Sequence, residues 1–424
     1  MFLFSCLRRY TGWLILATLF FFLLSQLIPP LFFVVVILSW SVVLIEWGRL
    51  PASSRRQAFL LGIGGFIALL FAAWHGVFLG IEKISTQNLQ LLPMFIAVSF
   101  LALTNPPDQD DTLPQGKKAM LTTAVGTNLL GAVINLSILF VFGDRLARNH
   151  SLSKGQSILL ARSFCAAAWW SPFFIAAGVA LTYAPEMHYH RILLPGLLMS
   201  GLALSYSIIE VGYIRKLTFT GYPVRRESLT VPILLALAVI SGHALFPHLS
   251  MIMIICLVSP PAAILFMRPR PRLQHLHEFI STRITATVSQ FVLFLAAGLF
   301  SIGMTSVIQV APEIFTFGGE TFTHSTFALV SALLIGLGLI GVHPLVGISV
   351  ISPLLLPMHP DHSRLGFLFL TSWAVSTGSS PLSGVGLILS SRYQIAPRSI
   401  LVNNFPYVIS LWLLANLVNV IYFG

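Results

Sequence analysis

The chain has 424 residues, of which 56% are hydrophobic and 9% charged, and its mean hydropathy is +0.88. Because a soluble domain carries roughly 25% charged residues, this composition excludes an ordinary soluble enzyme. The formal charge of +11 comes from basic residues in short loops between apolar segments, where the positive-inside rule places them, so we expect no nucleic-acid partner.

Long apolar windows predict eleven membrane-spanning helices. They lie near residues 12–28, 31–47, 58–81, 88–104, 157–183, 192–213, 229–246, 249–267, 284–308, 366–391 and 401–422. The first belongs to a leading helix within 1–30 that we expect to stay uncleaved, because no small-residue cleavage site follows it. The apolar runs are continuous, which excludes a β-barrel, so the predicted fold class is an all-α polytopic membrane protein.

Two further apolar stretches, 119–142 and 326–358, are each broken by residues that favour a turn. The first contains Gly126-Thr127-Asn128, and the second contains Gly341-Val342-His343-Pro344. Both stretches fit a re-entrant hairpin better than a plain crossing.

The loop charges fix the predicted orientation. A crossing at 119–142 would put Arg145, Arg148 and Lys154 outside, whereas a hairpin that enters and leaves on the cytoplasmic side keeps them inside. With two hairpins of opposite orientation, the N-terminus is cytoplasmic and the C-terminus periplasmic. The short basic loops and the lack of a transit peptide favour the inner membrane of a bacterium.

Two segments that lie 209 residues apart (372 minus 163) share a pattern, SFCAAAWWSP at Ser163 and SWAVSTGSSP at Ser372. Each follows a predicted hairpin and precedes an Ala-Pro pair. We therefore predict two repeats, 31–213 and 229–424, which start on opposite sides of the membrane and so have the inverted topology used for alternating access. Their interrupted helices span 157–183 and 366–391, and their hairpins span 119–142 and 326–358.

A Ser-Pro pair in a membrane helix removes one backbone hydrogen bond, and irregular backbone at that depth is tolerated where it lines a wet cavity or is buried in protein. The run around Pro381 offers five hydroxyls, two glycines and two half-helix ends, which suit an anionic group and Na⁺. The alternative is a kink packed through small residues. The candidate substrate- and ion-binding residues of this run are Ser376, Thr377, Gly378, Ser379, Ser380, Pro381 and Ser383.

Three other positions could contribute to binding. Next to Ser171-Pro172, the tryptophans 169 and 170 could wall a cavity while Ser171 supplies a ligand, or they could simply pack. At the first hairpin tip, the hydroxyl of Thr127 and the carboxamide of Asn128 are costly at membrane depth unless they serve a ligand or a fold contact. A histidine at the second tip is a candidate proton carrier, or a neutral ring with a structural hydrogen bond. The residues concerned are Gly126, Thr127, Asn128, Ser171, Pro172, His343 and Pro344.

No carboxylate falls near the middle of a predicted span, which disfavours a carboxylate-based proton antiporter. Glu210 lies near a helix end, from where it can reach Arg215. Arg162 lies about five residues into its helix, and we expect it to snorkel to the cytoplasmic interface, with anion binding as the alternative. Three scattered cysteines form neither a disulfide framework nor a metal-binding pattern.

The predicted architecture resembles that of the ion transporter superfamily. It has one leading helix followed by two inverted units, and each unit has a hairpin and an interrupted helix bearing Ser, Thr and Pro. Members of the superfamily include divalent anion/sodium symporters and the large permease subunits of tripartite periplasmic transporters. The resemblance implies a homodimer that moves solute by an elevator motion. Thr127-Asn128 partly matches the Ser-Asn-Thr motif of the symporter branch, whereas His343-Pro344 departs from it, which favours a proton or a single Na⁺ as the driver.

The leading hypothesis is therefore a secondary active permease for a small anionic organic solute, with its site between the hairpin tips and the interrupted helices. It would be no enzyme and would need no cofactor beyond H⁺ or Na⁺ as the coupling ion. The alternatives are an intramembrane enzyme or an assembly factor that acts on lipid-linked substrates. The sequence HPDH at His359 could bind a metal, but without further ligands it is a weak signal.

Overall fold

The computed structural model describes residues 10–104, 112–147, 151–224, 226–267, 270–315 and 321–424. The regular elements in these ranges are helices, which we label α1 to α19. Within these ranges, six helical segments are long and apolar enough to cross a membrane, and five apolar helices are shorter. The chain is an all-α polytopic membrane protein, as its composition predicts.

The chain forms two compact units. The first comprises the described residues within 1–104, 241–320 and 348–359, and the second those within 105–240, 321–347 and 360–424. The helices of the first unit are α1 (Thr11–Ser25), α2 (Phe32–Glu46), α3 (Ala52–Trp74), α4 (Ile81–Thr86) and α5 (Leu91–Ser99), followed later in the chain by α12 (Met251–Leu265), α13 (Arg272–Glu278) and α14 (Val288–Val310).

The helices of the second unit carry both interrupted spans. They are α6 (Gly116–Ile134), α7 (Ser137–Leu146), α8 (Lys154–Ala166), α9 (Ile175–Tyr183), α10 (Tyr189–Ile209), α15 (His324–Leu339), α17 (His362–Thr377), α18 (Gly384–Ser391) and α19 (Pro397–Phe423). Two helices, α11 (Arg226–Leu245) and α16 (Pro344–Leu355), are divided between the units.

Glycines let α3 and α14 approach closely in the first unit. A Cβ at Gly65 would lie 2.6 Å from the Leu299 carbonyl oxygen, and one at Gly303 would lie 2.7 Å from the Gly65 carbonyl oxygen. Small residues of this kind set backbone distance where helices pack in lipid. A buried hydrogen bond from Asn88 Nδ2 to the Phe294 carbonyl, 3.0 Å long, ties the loop before α5 to the same helix.

The predicted first hairpin consists of α6 and α7, which contact each other. Its chain reversal lies at Asn135, which has φ +57°, and the interruption predicted at Gly126-Thr127-Asn128 is wrong, because α6 runs unbroken to Ile134. An interior glycine costs a helix only about 1 kcal/mol. Gly126 also leaves room for a neighbour, since a Cβ there would lie 2.5 Å from Val224 Cγ2.

The helical backbone of the second apolar stretch, 326–358, and of both predicted interrupted helices is broken at the predicted positions. The turn between α15 and α16 contains Gly341, with φ +97°, a backbone conformation that glycine adopts without strain. The helical backbone is lost between Trp169 and Ile175, and again between Thr377 and Gly384.

Helices of the second unit recur at the offset of 209 residues. The offset relates the start of α9 at Ile175 to the start of α18 at Gly384 (384 minus 175). It also relates α6 to α15, α8 to α17 and α10 to α19 to within two residues at their first positions. The periodicity seen in one short sequence motif therefore extends over about a hundred residues of helical structure.

Candidate functional site

Serine side chains hold the interruption between α17 and α18 in its non-helical form. Ser380 Oγ donates to the Leu339 carbonyl (3.1 Å) and accepts from the Leu382 N–H (3.3 Å). Ser383 Oγ donates to the Thr377 carbonyl (2.7 Å) and caps the first turn of α18. These bonds explain why the break forms at this serine-rich run, and they join it to the last turn of α15 at the second hairpin tip.

Two hydroxyls in the same interruption have no partner. Thr377 Oγ1 and Ser379 Oγ are buried and make no hydrogen bond within the described structure, and Ser379 is 0% exposed. Gly378 lies between them against α8, where an added Cβ would be 3.1 Å from Cys165 Cβ. Because nearly all buried polar groups in proteins are hydrogen-bonded, this unpartnered pair at a helix break is a candidate position for a ligand or ion.

The interruption between α8 and α9 has the same construction. Ser171 Oγ donates to the Ala132 carbonyl near the end of α6, and it accepts from the Phe173 N–H at 3.2 Å. Ser171 and Ser380 are 209 residues apart, as are Phe173 and Leu382. At both breaks, therefore, the serine of the Ser-Pro pair donates to a carbonyl near the end of an earlier helix, α6 or α15, and Pro172 and Pro381 follow it directly.

The side chains predicted at the first hairpin tip are bound to protein. Asn128, 4% exposed, donates to the Ser163 carbonyl (3.0 Å) and Ser200 Oγ (3.2 Å), and its Oδ1 accepts from the Trp170 indole (3.2 Å). Thr127 donates within its own helix. Asn128 therefore links α6, α8 and α10 to the first interruption, beside Ser171, while Thr127 bonds within α6 and Gly126 packs against Val224.

The two tryptophans also have protein partners. Trp169 is fully buried and its indole N–H donates to Thr371 Oγ1 at 3.1 Å, while the Trp170 carbonyl accepts a hydrogen bond from the Tyr189 hydroxyl. Of the two interpretations that the sequence leaves open, packing fits these contacts better than a cavity wall.

His343 lies at the second tip, as the sequence indicates. Its ring meets the Trp373 ring edge-on with a centroid distance of 5.4 Å, and its Nδ1 accepts from the Leu345 N–H at 3.3 Å. Pro344 begins α16 immediately after it. Protonation at Nδ1 would remove this acceptor from the start of α16, so the geometry favours the structural interpretation of the ring.

Sequence reasoning misses Asn135, the residue at the actual turn of the first hairpin. Its Nδ2 donates to the Phe173 carbonyl at 3.2 Å, and the neighbouring Leu136 Cδ2 lies 3.9 Å from the place of a Cβ at Gly384. The first hairpin tip therefore touches both interruptions. The available signal was an asparagine two residues before Ser137 in an apolar run, since asparagine tolerates positive φ more readily than most residues.

A second missed contact ties α7 to the end of α18. Arg392 donates to both carboxylate oxygens of Asp144, from Nε to Oδ1 and from Nη2 to Oδ2, each at 2.7 Å. The Tyr393 hydroxyl donates to the same carboxylate at 2.8 Å. The hydrogen bond from Arg392 lowers the pKa of the Asp144 carboxyl. Both partners are about half exposed, so this pair contributes little stability.

Arg162 does not snorkel, contrary to the prediction. Its side chain is 0% exposed, and it donates to Glu210 Oε2 (2.6 Å), Asn404 Oδ1 (2.7 Å) and the Asn403 carbonyl (2.9 Å). The predicted contact between Glu210 and Arg215 is confirmed as an ion pair. Two guanidinium groups thus share one carboxylate in a largely buried cluster with a net positive charge, which joins α8 to the end of α10 and to the second turn of α19.

A related network lies near the start of α17. Arg364 Nε donates to Asn419 Oδ1 at 2.8 Å. Asn419 lies 209 residues after Glu210 (419 minus 210), so Arg162 and Arg364 bind side chains that the same offset relates. Burial raises the pKa of the Asp361 carboxyl, but hydrogen bonds from the Arg364 N–H and the Arg191 side chain outweigh it and hold that pKa below its usual value. Asp361 therefore serves as a helix cap and ion-pair partner.

No family model and no curated protein matches the sequence. Among the solved structures to which the chain is similar is the YdaH transporter of Alcanivorax borkumensis, whose topology is described as unusual. The two are 14% identical, the similarity covers 88% of this chain and 89% of that chain, and the TM-score is 0.45.

Proposed function

We propose that this chain is a secondary active transporter for a small anionic organic solute, driven by a proton or Na⁺ gradient. The observation that carries the proposal is the pair of buried, unpartnered hydroxyls at Thr377 and Ser379 inside a broken apolar helix. Each such hydroxyl costs roughly 1–3 kcal/mol when nothing bonds to it. A ligand or ion that bonds to both groups would recover this energy on binding.

The groups around the interruption match the chemistry of an anion and a cation. Hydroxyl and carbonyl oxygens at unwound membrane helices coordinate Na⁺, and half-helix N-termini attract carboxylates. The start of α9 has no side-chain cap, and of its first three N–H groups the third, at Ala177, donates to the Phe174 carbonyl at 2.9 Å, so an acceptor would bind at the first two. The buried cluster of Arg162, Glu210 and Arg215 adds a net positive charge to the same unit.

The recurrence of helices at an offset of 209 residues supports two inverted repeats and hence alternating access. Because one compact unit holds both interrupted helices, we assign the transport motion to that unit, as an elevator movement in a homodimer of the ion transporter superfamily type. The positive-inside rule favours the bacterial inner membrane, with the N-terminus in the cytoplasm.

A ligand screen tests the proposal. The purified chain is melted in detergent with mono- and dicarboxylates, sulfonates and amino acids, with NaCl or KCl and at two pH values. A solute bound by the folded state alone raises the melting temperature. At a concentration of one hundred times its Kd, it adds about 2.7 kcal/mol to the free energy of unfolding. A shift that depends on Na⁺ or on pH identifies the solute class and the driver together.

Variants then locate the site. Thr377→Val and Ser379→Ala should abolish the shift, whereas Ser372→Ala should retain it, because Ser372 lies on the same helix, is buried, and donates to the Leu368 carbonyl at 2.9 Å. A shift that survives both test substitutions would place the solute elsewhere. Absence of any shift across the panel would favour a lipid-linked substrate or an assembly role.

A further inference from the structure

An apolar groove opens on the first unit between α2, α3 and α14. Its cavity of about 190 Å³ is lined almost entirely by apolar side chains, including Trp40, Trp47, Phe59 and Leu299. Gly62 forms part of its wall, and a Cβ added there would meet nothing within 4 Å. The groove is therefore open space beside exposed apolar residues such as Phe59, which is 53% exposed.

A basic pocket continues this groove at the start of α3. Trp47 and Phe59 line both cavities, and the second, about 320 Å³, also contains Arg55 and Arg56. Both arginines are exposed, and no described residue pairs with either guanidinium. The acidic side chain of Glu46, at the end of α2, already accepts from Thr11 and lies 3.9 Å from Arg49.

The position of these arginines is unfavourable without an anion. They are the fourth and fifth residues of α3, which has no acidic residue in its first turn and no side-chain cap. The N-terminal end of a helix carries a partial positive charge that disfavours cations and attracts anions. Two guanidiniums and the free N–H groups of this turn therefore form a site for a phosphate.

We infer that this surface binds an anionic phospholipid, with its phosphate at Arg55 and Arg56 and part of an acyl chain in the groove beside Gly62. The charge of the pocket and its continuity with an apolar groove fit a molecule that has one anionic and one hydrocarbon end. The loop charges place this end of α3 on the cytoplasmic side, where basic pockets between membrane helices bind anionic headgroups. This inference does not depend on the transported solute.

Native mass spectrometry of the detergent-purified full chain with added phosphatidylglycerol or phosphatidylcholine tests the inference. We expect phosphatidylglycerol adducts to dominate, and Arg55→Gln with Arg56→Gln to weaken them about 25-fold, at about fivefold for each charge. Gly62→Phe should fill the groove and also reduce the adducts. Two controls should keep them: Arg283→Gln, a surface charge of the same unit, and Gly201→Phe, where an added Cβ also meets open space.

Two outcomes would overturn the inference. One is phosphatidylglycerol binding by the double arginine variant at wild-type strength, which remains informative even if Gly62→Phe fails to fold, because both arginines are exposed. The other is a Gly62→Phe variant that keeps its lipid but changes from dimer to monomer in size-exclusion chromatography, which would assign the groove to a second copy of the chain.

Discussion

Replacing Ser379 with alanine should make the empty protein more stable while it abolishes ligand binding. The Ser379 hydroxyl is fully buried and has no partner among the described residues, so its removal relieves a desolvation cost of roughly 1–3 kcal/mol. The small void left by the oxygen offsets part of this gain, and we expect a net increase of about 1 kcal/mol in the free energy of unfolding. Functional sites commonly show this opposition between stability and activity.

Equilibrium unfolding in mixed detergent micelles, without solute and in a potassium buffer, measures the effect. The control is Ser372→Ala. Its hydroxyl bonds to the carbonyl four residues earlier in its own helix, a bond that does not stabilise a helix, so the free energy of unfolding should stay within about 0.5 kcal/mol of wild type. The reasoning is refuted if Ser379→Ala is less stable than wild type under these conditions. That result would mean that the hydroxyl has a structural partner and does not belong to a ligand site.

Three other substitutions test the surrounding framework. Ser171→Ala removes the bond to hairpin helix α6 and should lower the free energy of unfolding by about 1–3 kcal/mol; equal stability would show that the fastening is dispensable. Glu210→Gln leaves Arg162 without its carboxylate and should cost about 3 kcal/mol in the same measurement, whereas a cost below 1 kcal/mol would contradict a buried charge cluster. Asp361→Asn keeps the helix cap but loses the ion pair with Arg191. Since the folded-state pKa of Asp361 is lowered, the pair stabilises above the unfolded pKa of about 3.9 and is lost as pH falls through the folded pKa, so melting curves should differ slightly at neutral pH and coincide in acid.

The positions of the helix breaks were predictable where proline or positive φ decides the backbone. Pro172 and Pro381 cannot continue a helix with full hydrogen bonding, and Gly341 supplies the turn before α16. At the first hairpin the strongest local signal was misleading. Gly126 serves close packing against Val224, while the turn depends on the tolerance of Asn135 for positive φ.

Side-chain partners that are distant in the sequence could not be predicted in the same way. The expectation that Arg162 snorkels rests on its distance from the helix end, but Asn404, 242 residues further on, and Glu210 satisfy its guanidinium inside the protein. The two unpartnered hydroxyls, of Thr377 and Ser379, belong to a run that the sequence singles out by its composition. That Ser380 and Ser383 are bonded while Ser379 is not follows only from the fold.

Solute exchange in proteoliposomes tests the central claim most directly. Vesicles that contain the purified chain are loaded with the solute found in the ligand screen, and exchange of labelled solute is measured for wild type, Thr377→Val with Ser379→Ala, and Ser372→Ala. We predict exchange by wild type and Ser372→Ala, and background exchange by the double variant at equal protein content. Exchange by the double variant at the wild-type rate would contradict a transport site at this interruption.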